Sequence, residues 1–232
     1  MWVLHSRSFS LLQSGLSGHH PQPELSFRSL KRSSRKPPLT KLRYLIRLLP
    51  IGSPQEDILP LIRRIAGSIG VEVRNPKRTS YGALELDIFV PSSSDFALLL
   101  EVIAPVAMVE AYRDLNRIEP VPQGEALYSE AWVLFDAERY WECHELLEGV
   151  WRSSTGSERS FLQGVILVCA ALVHHQKGEA DVALGVLRRA APQLDLGPAS
   201  YHGMDVVAFR SAVRGSLESM SVAPFNLTKS AT

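Results

Sequence analysis

Tyr140-Trp141-Glu142-Cys143-His144-Glu145-Leu146-Leu147-Glu148-Gly149-Val150-Trp151 is the stretch around which the rest of the chain is organised. It sets a histidine, several carboxylates and two tryptophans on a short run with helical spacing. At about 100° per residue, Trp151 falls roughly 20° from His144, Tyr140 about 40° and Leu147 about 60°. On the other side lie Glu148 at about 40° and Trp141 at about 60°. His144 therefore sits in the middle of the apolar stripe, with Glu148 one turn above it and their Cβ atoms ~5–6 Å apart. Glu145 and Glu142, about 100° and 160° round from His144, are expected on the flank or in solvent. A carboxylate on the buried side of a helix is costly unless paired, and that cost makes the pair informative.

The run has the form His-x-x-x-Glu-x-x-Trp, carried by His144, Glu148 and Trp151 and preceded by Tyr140-Trp141-Glu142. Downstream come Arg159-Ser160-Phe161-Leu162-Gln163-Gly164 and His174-His175-Gln176-Lys177-Gly178. In that order these segments resemble the family known as domain of unknown function 309, over about residues 124–195. The resemblance implies an all-α domain without an established activity, for which metal binding has been suggested from the motif.

Working outward, residues 124–220 read as a helical domain. A stripe of Ala126, Leu127, Ala131, Leu134 and Phe135 predicts a helix over 124–137. After the quoted run, Ser153-Ser154-Thr155-Gly156 makes a turn into a helix over 158–177, nearly continuously apolar from Phe161 to Val173. That element is expected at the centre of the bundle, with Gly164, Ala170 and Ala171 allowing close approach. Lys177-Gly178 supplies a C-cap, and a further helix is expected over 179–191, ending before Pro192. A last helix is expected over 205–219, with Asp205 as N-cap and Val206, Phe209, Val213 and Leu217 facing inward. Residues 221–232 are expected to be a disordered tail.

Short loops imply antiparallel neighbours. Folding back about 153–156 sets Glu148 level with roughly residue 162 and His144 level with roughly 166. Gln163 is then the nearest polar group to Glu148. Glu130 comes in from the preceding helix, and His174 lies ~12 Å beyond the level of His144. His144, Glu148 and a third group from Glu130, Gln163 or His174 make a candidate divalent transition-metal site, or an acid/base site. Position 148 is Glu, so the His-Glu-x-x-His pattern and its protease chemistry are not implied. The competing expectation is a buried structural His144–Glu148 pair, with Gln163 and a tryptophan indole N–H satisfying leftover acceptors, and Trp151, Trp141 and Tyr140 supporting the motif in either case.

Residues 41–116 read as a small α/β unit. Strands are expected at 42–48, 71–74, 84–90 and 106–112, with helices from Ser53-Pro54 to Gly70 and from Ser94-Asp95 to about Ile103. The order β-α-β-β-α-β predicts a ferredoxin-like module. Residues 75–82 are expected as a turn-rich basic loop. Arg117 to Gln123, with two prolines, are expected as a linker. The fold class expected is thus α+β in two domains, a ferredoxin-like module followed by an all-α bundle.

The charge is uneven. The chain of 232 residues has net charge +1, yet residues 1–41 carry seven basic side chains and one acid, Glu24. Residues 1–40 read as a disordered basic extension. An organellar transit peptide, an upstream start codon or a tail contacting nucleic acid or lipid would share that composition. The remainder is mildly acidic, and no nucleic-acid partner is expected for it. No continuous apolar run reaches the ~20 residues of a membrane span. Cys143 and Cys169 read as small buried hydrophobes rather than a disulfide framework. The expectation is a cytoplasmic protein away from membranes, with homo-oligomerisation left open.

Overall fold

Alternation in Leu42–Pro50 makes β1, the strand from which the sheet is built. Its inward residues Tyr44, Ile46 and Leu48 join Leu84, Leu86, Ile88 and Val90 of β3 (Leu84–Val90) in one apolar cluster. Helices α1 (Leu59–Ser68) and α2 (Ser93–Ile103) cover that face through Ile62, Ala66, Phe96, Leu99 and Ile103. With β2 (Glu72–Arg78) and β4 (Ala107–Asp114) the strand order is β2-β3-β1-β4, and each neighbouring pair is antiparallel. The computed structural model describes residues 41–52, 57–117 and 119–227. The expected extension at 1–40 and the expected cap at Ser53-Pro54 lie outside the described residues. Leu39–Thr232 forms one compact unit of mixed α+β structure, helical in its C-terminal region. Within it, residues 119–123 are a mostly exposed connection.

The first half of the basic loop expected at 75–82 is strand. β2 runs on to Arg78 through a register shift between Arg74 and Lys77, with Asn75 at φ +49°. β2 is an edge strand, and a bulge on an edge is where a proline such as Pro76 can be accommodated. Its charges are used internally. Arg74 bonds Glu72 at 2.6 Å, Arg78 pairs with Asp57, and Lys77 is buried against Glu85.

The helical region is α3 (Glu125–Asp136), α4 (Tyr140–Ser153), α5 (Gly156–Gln176), α6 (Ala180–Leu194) and α7 (Val206–Glu218). α5 is the core helix that its apolar run predicts. By length and composition it could cross a membrane, at mean hydropathy 1.3, and 67% of that window is buried inside the molecule. Gly164 is needed on α5, because a Cβ there would lie 2.9 Å from the Leu194 backbone nitrogen. α6 continues through Pro192 instead of stopping before it. In the last turn the proline forfeits a single intrahelical bond.

Two further segments differ from expectation. Ser200–Tyr201 (β5) and Met204–Asp205 (β6) form a hairpin turning at His202 (φ +44°) and Gly203 (φ +81°). Residues 221–227 are packed where a disordered tail is expected, and 228–232 lie outside the described residues. Phe225 packs on Phe135 at 5.5 Å and on Phe209 at 5.6 Å, and Asp136 accepts the Leu227 N–H at 2.6 Å.

The second face of the sheet is buried by the helices. Arg47 donates to the Ala137 carbonyl at 2.8 Å and to Glu85 at 2.8 Å, while Lys77 pairs with the same carboxylate. Glu138, left-handed at φ +55°, joins the layers. Its carbonyl accepts from Gln176 at 2.9 Å and its carboxylate accepts from the Ser80 N–H at 2.9 Å.

Candidate functional site

α4 carries the motif. It has Glu142 in its first turn and Arg152 in its last, the arrangement that complements the helix dipole. Its C-terminal carbonyls are taken by Arg159 from α5, which donates to Trp151 O at 2.8 Å and Ser154 O at 3.2 Å. The same guanidinium lies over the Trp151 ring, 4.0 Å from its centroid. Trp151 is thereby part of a helix cap that sequence reasoning missed. The signal was present, since Arg159 opens the Arg-Ser-Phe-Leu-Gln-Gly segment.

His144 is buried, at 2% exposure, and its ring stacks on Trp141 with centroids 5.6 Å apart and planes 9° from parallel. Its Nε2 lies 4.0 Å from Glu148 Oε1, a partner at ion-pair range and too far for a hydrogen bond. The other carboxylate oxygen of Glu148 accepts from Arg152 at 3.1 Å. Burial holds the His144 imidazole down to about 4, so it is neutral at pH 7. Tyr140 is buried against Phe135, ring centroids 5.1 Å apart, and belongs to the core.

Of the two alternatives for Glu142 and Glu145, the flank or solvent, neither residue is left in solvent. Glu142 is buried and accepts two bonds of 2.6 Å from Arg139 and one of 3.3 Å from Arg113 of β4. Glu145, half-buried, is raised to about 7 by desolvation, with Arg113 and Arg43 pulling the other way. The helical-wheel angles place both residues correctly. The sheet that covers that side of the helix could not be read from one helix alone.

The three suggested third groups lie on two helices, Glu130 on α3 and Gln163 and His174 on α5. Glu130 is exposed on α3, and the side chain of His174 pairs with Glu179. Gln163 is half-buried, and among the described residues no hydrogen bond joins it to Glu148. Among the described residues no group of three His, Cys, Asp or Glu side chains is arranged to hold a metal ion. A cleft of about 440 Å³ is lined by Leu49, Pro50, Ile51, Ala104, Ala107, Met108 and Val109, and by none of the motif side chains.

Residues 128–186 match the family model described as domain of unknown function 309. The matched segment holds the whole motif from Tyr140 to Trp151. Among solved structures, a conserved hypothetical protein from Thermus thermophilus is similar at 37% identity. The match covers 43% of this chain and 99% of that one, with a TM-score of 0.36. No curated protein matches.

Proposed function

We propose that this chain is a non-enzymatic helical interaction module in which the His144–Glu148 pair serves structure. The observation that carries this reading is the pair itself. His144 is buried flat against Trp141, and Glu148 is shared with Arg152. An open metal centre would instead present three protein ligands and a vacant position. Residues 41–116 are read as a ferredoxin-like module. The β-α-β-β-α-β order and the antiparallel sequence β2-β3-β1-β4 support that assignment. The fold hosts many functions and adds no activity.

The test is elemental analysis of the purified full chain, alongside thermal melts of wild type and His144→Asn. The expected result is metal well below one equivalent and a variant less stable by about 2 kcal/mol, from lost packing against Trp141. About one equivalent of a transition metal, lost in His144→Asn, would overturn the reading and restore a metal site.

A further inference from the structure

We propose that Cys143 and Cys169 are a two-thiol redox lock, closed by an oxidant of the disulfide class to staple α4 to α5. The two sulfurs are already in contact, with Sγ to Sγ 3.6 Å, and both residues are fully buried. They lie 26 positions apart on consecutive helices that pack directly together. Closing to a bond of about 2.05 Å takes a movement of about 1.5 Å, within reach of side-chain rotation and a small helix shift. A third group completes the cluster. Tyr140 is one turn before Cys143, and its buried hydroxyl has no hydrogen-bond partner among the described residues. It interacts electrostatically with both thiols, and its O–H is available to a thiolate as one forms.

The chemistry balances as thiol–disulfide exchange. The Cys143 thiolate attacks one sulfur of the small disulfide. A mixed disulfide forms, and the first thiol leaves with the proton that Cys143 gave up. The Cys169 thiolate then attacks the Cys143 sulfur. The protein S–S bond forms, the S–S bond to the small molecule breaks, and the second thiol leaves with the proton of Cys169. The protein loses two electrons and two protons, and the small disulfide is reduced to two thiols. Burial raises the Cys143 thiol, so the reaction waits on local opening of the α4–α5 seam.

The test uses the full folded chain and hydroxyethyl disulfide as the probe. The reaction is stopped by alkylation under denaturing conditions and read by intact mass. The expected product is lighter than the reduced chain by about 2 Da, takes up no alkyl group, and reverts with dithiothreitol. Its melting temperature is expected to rise by about 5–10 °C, as for a loop of this size. Cys169→Ser should lose both changes. Two alkylated cysteines, or a mixed disulfide on each, would overturn the proposal if found after an exposure that fully oxidises the guanidinium-unfolded chain.

Discussion

Ile46 and Arg47 are neighbours on β1, and each is almost completely buried, but by opposite chemistry. Ile46 faces α1 and α2 and pairs across the sheet with Leu86. Arg47 faces the helical region and pairs with Glu85, beside Lys77 and the Ala137 carbonyl. One face of the sheet is an ordinary apolar core. The other is a network in which burial alone would raise the Glu85 carboxyl, and Lys77 and Arg47 outweigh it and hold it below its ordinary value. Apolar packing tolerates a small loss at many points. A buried ion network is sensitive to losing one member and indifferent to losing them all.

That contrast is sharpest at Glu85. Glu85→Ala takes the shared carboxylate from Lys77 and leaves Arg47 only the Glu110 carboxylate, at 3.9 Å, and should cost about 3–5 kcal/mol in a denaturant melt. Replacing the trio together (Arg47→Met, Lys77→Met, Glu85→Leu) should come back to within about 2 kcal/mol of wild type. The remaining deficit would be the donor lost by the Ala137 carbonyl. A triple variant as unstable as the single one would break the comparison.

The next effect is in pH, on α4. The His144 imidazole is lowered in the folded state to about 4. Between its unfolded value and that pH the unfolded chain binds the extra proton, so stability falls as pH drops from about 6.5 to 4. Glu145 is raised to about 7. There the folded chain holds the extra proton, and stability falls as pH rises from about 4.5 to 7. Each contribution amounts to at most about 3 kcal/mol, and over most of that window they oppose each other. The wild-type profile should be nearly flat. Glu145→Gln should expose the acid-side loss, and His144→Asn the loss toward neutrality. Parallel profiles in the two variants would show that the shifts are not what sets the slope.

The smallest effect is expected where charge is exposed. Arg78 pairs with Asp57 at the surface, with 43% and 60% of the side chains exposed. Arg78→Ala should change stability by less than about 0.5 kcal/mol. A loss near that of Glu85→Ala would erase the distinction between buried and exposed pairs.

The apolar side of this contrast was legible from residue order. Alternation gave Leu84–Val90 its bounds, and the apolar run from Phe161 to Val173 identified the central helix. The motif was readable as well, since helical spacing alone sets His144 and Glu148 within 4.0 Å. The charged face was not. Arg47, Glu85 and Asp87 occupy the positions that alternation assigns to solvent, and only the packing of a distant helical segment buries them. The same limit explains Glu142, whose Arg113 partner comes from β4. It also explains the 200–205 hairpin, whose His-Gly turn lacks the usual Asn-Gly signal. Long-range partners leave no periodicity.

Glu138 has a mechanical consequence. One residue gives its carbonyl to Arg47 of the sheet and to Gln176 of α5, and its carboxylate to Ser80 between β2 and β3. Sliding either layer by a single residue would sever these bonds together, because they share one anchor. The two halves should therefore resist gradual shear and part in one step, with amide protons on both sides of the joint exchanging at a common rate.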